Sequence, residues 1–250
     1  IGMIPILIAM LLAGQDFNKW KWPIGGILAL LNWALIVTFS RGAWISLLIS
    51  VVCLWLLMYR THQLKTTYFM CFFGFFAVTA SLIYFANDLK EYTQLFSMNR
   101  MGAVQWRIGI WKTAWGMFID RPLFGHGINT FMTVYQGYRE NSAGSPTYAH
   151  NVFIQIAAET GILGIGSFLW LLVALLRETQ QQMKRAVSKG SPLVFLLIGL
   201  SVSMAALLIH ANIETSFYHL QLSAYIWFLI GILIALNNYI KNHLTADEVI

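Results

Sequence analysis

The sequence is poor in charge. Asp, Glu, Lys and Arg make up 10% of its 250 residues, where a soluble globular domain carries about 25%. That shortage excludes an ordinary soluble enzyme, a disordered chain and a nucleic-acid-binding module. Proline is scarce, at five residues, and the nineteen glycines form no repeat, so neither a collagen-like nor a low-complexity segment is present. There are two cysteines, Cys53 and Cys71, each inside an apolar run. Neither has a CxxC neighbour or a nearby His, which argues against a zinc site and makes both small packing residues.

What the sequence has in excess is apolar surface: 58% hydrophobic residues, 15% aromatic ones and a mean hydropathy of +0.65. The apolar residues are gathered into runs at 1–13, 23–39, 43–59, 67–86, 151–176, 192–209 and 220–240. A membrane-spanning helix needs about 20 such residues. The runs are continuous rather than alternating, which disfavours strands. The expected fold is all-α, a polytopic transmembrane helix bundle. The run 1–13 is too short to span and lacks the charged start and cleavage site of a signal peptide. It reads as the tail of a longer helix, and the chain as the C-terminal part of a larger membrane protein.

Charge distribution sets the orientation. One set of short loops holds nine basic residues: Lys19, Lys21, Arg60, Lys65, Arg177, Lys184, Arg185, Lys189 and Lys241. The opposite short loops hold Arg41. By the positive-inside bias the nine-residue side is cytoplasmic. The net charge of +6 therefore reports topology, not affinity for nucleic acid. The expected organisation is transmembrane helices over 1–86, an outward segment over 87–149, then transmembrane helices and a cytoplasmic tail over 150–250. Within the outward segment, residues 103–119 have a helical pattern, with Val104, Ile108, Trp111, Trp115 and Phe118 at steps of four and three. Trp106, Trp111 and Trp115 suit the membrane–water interface, so a helix lying on or dipping into it is expected. Arg121-Pro122 ends that helix, Gly125 and Gly127 permit a tight turn, and 141–146 is a small-residue loop.

Against this apolar background a few polar residues are conspicuous. Arg41 sits between two apolar runs on the side where basic residues are rare; it is either a snorkelling side chain or a ligand for an anion. Arg107 lies on the interfacial helix, either as a cation over Trp rings or as a phosphate-gripping fork of donors. His150 opens a span, and Asn151, Gln155 and Glu159 follow on one helix face. An acid about 12–13 Å below the helix start is costly unless paired, so that face is expected to look into the bundle, either at a packing network or at a wet cavity. Gly161 and Gly164 suggest close helix contact. Histidine transfers protons near neutral pH, which makes outward His150 a candidate base, with His126, His210 and His219 also on or near that side. Tyr135, Tyr138 and Arg139 are candidates for stacking on sugar or for anchoring at the interface. No metal-ligand spacing, dinucleotide fingerprint or nucleophile elbow occurs.

Four segments carry a resemblance. Ser40-Arg41-Gly42-Ala43-Trp44 is similar to the Ser-Arg-Gly signature of the O-antigen ligase and O-antigen polymerase family. Arg107-Ile108-Gly109-Ile110-Trp111-Lys112-Thr113-Ala114 resembles its Arg-x-x-x-Trp-x-x-Ala segment. Pro122-Leu123-Phe124-Gly125-His126-Gly127 resembles its Pro-x-x-Gly-x-Gly turn. Tyr148-Ala149-His150-Asn151, running to Glu159-Thr160-Gly161, looks like its His-Asn helix start. They stand in the family's order and cover roughly 23–176.

The resemblance implies a multi-pass glycosyltransferase of the bacterial inner membrane with a periplasmic active face. It implies a donor glycan on undecaprenyl pyrophosphate, whose diphosphate is held by Arg41 and Arg107, and His150 as the base. The chemistry is self-consistent. A lipid diphosphate is already a leaving group, so a base for the acceptor hydroxyl and positive charge at the diphosphate suffice, with no metal or cofactor. A single displacement inverts the anomeric carbon, whereas retention wants paired carboxyls, and the outward acids Asp88, Glu91, Asp120, Glu140 and Glu214 show no paired spacing. Ser40, Trp111, His126, Asn151, Gln155, Glu159, His210 and Glu214 are the residues expected around the site. The leading acceptor is a lipid A–core sugar, as in lipopolysaccharide biosynthesis. A growing glycan (a polymerase) or a protein hydroxyl (an O-oligosaccharyltransferase) would use the same chemistry. Outside the class stand a transporter of lipid-linked sugars, which would show broken spans with midplane charge, and a purely structural or sensor membrane subunit.

Overall fold

The computed structural model describes residues 1–13, 18–38, 40–61, 100–139 and 146–244, with 41 and 100–103 described by their backbone. Eight α-helices occur among them: α1 (Met3–Leu12), α2 (Lys21–Val37), α3 (Arg41–Arg60), α4 (Arg100–Asp120), α5 (Phe131–Tyr138), α6 (Val152–Ser188), α7 (Leu193–His210) and α8 (Leu220–His243). A short 3-10 turn, Ser216–Tyr218, precedes α8. The described residues contain no strand. Five helices are long and apolar enough to cross a membrane, namely α2, α3, α6, α7 and α8. The protein is a multi-pass helical membrane protein. The expected run at 67–86 and the loop at 141–146, save Pro146, lie outside the described residues.

Two compact units divide the chain. The first comprises 1–95, 176–207 and 226–250; the second comprises 96–175 and 208–225. In the first, Ile4 of α1 packs with Leu47 and Val51 of α3, and Leu28, Leu31 and Leu35 of α2 lie against this cluster. Gly199 lets α7 approach α1, since a Cβ there would stand 2.8 Å from Ala9 Cβ. Asn237 of α8 donates to Thr179 Oγ1 at 2.9 Å, a buried polar pair between helices. The other side of α2, with Ile27, Leu30 and Trp33, is exposed and apolar. In a bilayer such a side faces hydrocarbon and carries no penalty.

In the second unit α4 buries Ile110, Ala114 and Met117 against Phe131 and Tyr135 of α5, Ala149 and Ala158. This corrects the face read from periodicity. Val104, Ile108 and Trp115 of the expected stripe are exposed, as is Ile119. Both sides of α4 carry apolar residues, and spacing does not tell the buried side from the exposed one. Tyr135 is fully buried in this core, so its ring is closed to a sugar.

The second unit also corrects the reading of α6. The span is not continuous: Gly161 has φ 66° and ψ −164°, which splits it into 152–160 and 162–188. The stretch after Pro122 lies in the gap. Ile162 N–H donates to Pro122 O at 2.7 Å, Gly127 N–H to Glu159 O at 2.8 Å and His126 N–H to Ala158 O at 3.2 Å. The broken helix thus recovers partners for groups it would otherwise leave open in a membrane. Two glycines make the fit. A Cβ at Gly161 would meet Leu123 C at 2.4 Å, and one at Gly125 would meet Glu159 C at 2.3 Å. The close contact expected of Gly161 is therefore with a loop, not a helix. At Gly164 a Cβ would meet the Thr160 side chain across the break.

Candidate active site around His150

The second unit gathers most of the expected residues at the start of α6. Asn151 caps that helix, its Oδ1 accepting from Ile154 N–H at 3.1 Å. Its amide nitrogen donates to Asn212 O at 3.1 Å, and Val152 N–H donates to Ala211 O at 2.9 Å. These bonds dock the turn after α7 onto the head of α6. His210, the last residue of α7, accepts through its carbonyl from Ile213 N–H and Glu214 N–H. The turn so formed presents Glu214.

Glu214 stands between Arg107 and His150. Its Oε1 stands 3.5 Å from Arg107 Nη2, and its Oε2 stands 3.5 Å from His150 Nδ1. All three side chains are about a third exposed. A charge-assisted bond at full strength is about 2.7–2.9 Å long, and pairs this exposed contribute about 0–1 kcal/mol. The arrangement therefore does little for stability and leaves donors of Arg107 available to another anion. The buried His150 Nδ1 makes no hydrogen bond, and Glu214 Oε2 is the carboxylate oxygen that faces it. The Trp106 ring lies beside the imidazole, with centroids 5.4 Å apart at 54°.

The backbone at His150 is held in an uncommon form. Its φ is 51°, a left-handed conformation that non-glycine residues adopt at a cost. Both polar groups of the preceding residue are fixed by side chains. Trp111 Nε1–H donates to Ala149 O at 2.9 Å, and Ala149 N–H donates to Gln155 Oε1 at 2.9 Å.

Gln155 and Glu159 continue inward and are fully buried. Glu159 Oε1 accepts from Gln155 Nε2 and from Phe131 N–H, each at 3.2 Å. Its Oε2 accepts from Asn129 N–H and from Tyr218 Oη–H, each at 2.9 Å. Four donors converge on one carboxylate, two of them from the N-terminus of α5, where negative charge is favoured. Of the two readings of this polar face, the packing network fits. Burial, followed by the charge of Glu159 and the hydrogen bond to it, pushes the Tyr218 phenol well above its ordinary range, so Tyr218 remains a donor. The broken span with an acid beside it is a feature expected of a transporter, but this break is filled by the chain's own loop.

Other expected residues have local roles. Ser40 caps α3, its hydroxyl accepting from Ala43 N–H at 3.4 Å. Arg41, the first residue of α3, belongs with Ser40 to the other unit. His126 Nε2 lies 2.9 Å from Met117 O, and its ring meets Tyr138 edge-on. His219 packs on Tyr148. Asp120 accepts from Tyr138 Oη–H at 2.5 Å. Asp88, Glu91 and Glu140 lie outside the described residues. Among the described residues no three His, Cys, Asp or Glu form a metal-holding group. Sequence reasoning read Trp106 as an interface residue, and it missed Tyr218, which stands 59 positions from its partner with no motif to mark it.

The model of one known family, described as O-antigen ligase, matches residues 24–169. The chain belongs to the O-antigen ligase family. The match takes in all four resembling segments and ends within α6. The chain is also similar to the O-antigen ligase of Salmonella typhimurium, with 28% identity over 213 residues. That alignment covers 80% of this chain and 49% of the relative, so the chain spans about half the length of the curated protein it matches.

Proposed function

We propose that the protein carries out the O-antigen ligase reaction: transfer of a polysaccharide from undecaprenyl pyrophosphate to a lipid A–core sugar at the periplasmic face of the bacterial inner membrane. The observation that carries the proposal is the placement of His150 and Arg107 on the two oxygens of Glu214. His150 Nε2 takes the proton of the acceptor hydroxyl. The hydroxyl oxygen attacks the anomeric carbon, and the bond to the diphosphate oxygen breaks with its electron pair. The products are the inverted glycoside and free undecaprenyl pyrophosphate.

Arg107 stabilises the charge that grows on the diphosphate, where a preorganised donor acts most strongly. Arg41 joins this reading from the sequence, as a matching position in the Ser-Arg-Gly segment. Glu214 faces Nδ1 and favours the tautomer with its proton there, which leaves the Nε2 lone pair to accept, the role a carboxylate has beside a catalytic histidine. The same carboxylate holds Arg107 until the donor diphosphate replaces it. Neither a metal nor a cofactor has a part in these steps.

The test is a transfer assay with the full-length protein, its native lipid-linked glycan and lipid A–core, run with a chelator present. Glycan on lipid A–core with inverted anomeric configuration supports the proposal. Glycan that lengthens on the carrier, or appears on a protein hydroxyl, moves the acceptor to a polymerase or an O-oligosaccharyltransferase. Loss of activity with the chelator removes metal independence, and a retained configuration overturns the single displacement.

A further inference from the structure

Building on the base and orienting roles given above to His150 and Glu214, we propose that Glu159 is a positioning residue for both, acting through Gln155 on one side and Tyr218 on the other. The carboxylate lies about two turns into the span and is fully buried, so it does not itself face the reacting groups. Its two arms do. On the first arm, Gln155 Nε2 donates to Glu159 while Gln155 Oε1 accepts from Ala149 N–H. Ala149 immediately precedes His150, whose left-handed φ of 51° needs a fixed neighbour to persist. On the second arm, Tyr218 Oη–H donates to Glu159 Oε2. Tyr218 closes the turn that begins beside Glu214, its N–H donating to Thr215 O at 2.9 Å.

Both arms are referenced to one rigid point. Asn129 N–H and Phe131 N–H at the head of α5 hold the same carboxylate, and the stretch leading into α5 is locked in the break of α6. The quantity at stake is the 3.5 Å between His150 Nδ1 and Glu214 Oε2. It lies just beyond hydrogen-bonding geometry, so a shift of a few tenths of an ångström in either arm makes or loses the contact. Catalytic groups need their geometry held within about 0.5 Å, and a shared buried anchor supplies that constraint for two residues 64 positions apart in sequence.

The discriminating experiment is a double-mutant cycle in the full-length enzyme, read as kcat and donor KM with the native lipid-linked glycan. Glu214→Gln, Tyr218→Phe and the double variant form one cycle; His150→Ala, Gln155→Leu and their double variant form the other. Tyr218→Phe is expected to lower kcat about tenfold with donor KM within about twofold of wild type, and to cost less than about twofold once Glu214 is already Gln. Gln155→Leu is expected to behave likewise against His150→Ala. A merely structural network would lower the thermal midpoint and the amount of active enzyme, and its effects would multiply in the double variants; that result, or an unchanged kcat in both single arm variants, overturns the positioning role. If Tyr218→Phe does not fold, the Gln155 cycle decides. If Glu214→Gln and His150→Ala both leave kcat at the wild-type value, the catalytic reading itself has failed and the positioning role falls with it.

Discussion

Gly161→Ala is a severe change at a position remote from the reacting groups. The residue has φ 66° and ψ −164°, a region that is essentially confined to glycine and costs any other residue of order 1–3 kcal/mol. The new Cβ would also stand 2.4 Å from both Leu123 C and Leu123 O, and 2.6 Å from Phe124 N. These are backbone atoms, so no side chain can swing away. Separating the loop from the break would weaken the bonds from Ile162 N–H to Pro122 O and from Gly127 N–H to Glu159 O. Overpacking of this kind adds about 1–3 kcal/mol, so the total destabilisation is about 2–6 kcal/mol. The assay is reversible unfolding of the purified protein in mixed micelles, alongside Gly166→Ala on the same helix. A Cβ at Gly166 meets nothing within 4 Å, and alanine there should be neutral or stabilising by up to about 1 kcal/mol. Equal stability of Gly161→Ala and Gly166→Ala would refute the interrupted helix.

Three further outcomes are expected. Arg107→Ala should lose about 10²-fold or more in kcat/KM for the lipid-linked donor, and Arg107→Lys should recover only part of it, because a single ammonium does not reproduce a planar fork; full recovery by Lys would mean simple charge neutralisation. Asn151→Ala removes the cap of α6 and the bond to the Asn212 carbonyl, so unfolding should show a loss of about 2 kcal/mol, and an unchanged stability would dismiss the docked turn. In an alkaline absorbance titration, the difference between wild type and Tyr218→Phe should appear well above the ordinary tyrosine range, because burial and Glu159 raise the phenol. A raised acid favours the folded state while neutral, so this contribution is complete below about pH 10 and is lost as pH rises beyond it; ionisation at the ordinary value would contradict the bond to Glu159.

The spans and the polar anchors were legible in the sequence because the bilayer imposes a simple rule on each. A run such as 192–209 has no charge, and that is a sufficient sign of a helix in lipid. His150 and Arg107 stood out for the converse reason, as polar groups in apolar surroundings, and the family resemblance placed them on one site. Other features were illegible for physical reasons. Gly161 inside an apolar run reads as a close helix contact, since nothing local shows that Pro122 and Leu123 enter the backbone there. The buried stripe Ile110, Ala114 and Met117 is no more apolar than the exposed one. Glu159 looked like a member of a polar helix face, but half of its partners are backbone groups about thirty residues earlier, and backbone groups leave no mark in a sequence.

In the proposed mechanism His150 removes the acceptor proton. The most direct test of that step is single-turnover transfer in the full-length enzyme, with donor bound first and acceptor added second, comparing wild type with His150→Ala. The predicted result is transfer about 10²–10⁴-fold slower in the variant, with the donor still bound at wild-type affinity. Transfer at the wild-type rate with donor bound would contradict the account and make His150 a structural residue.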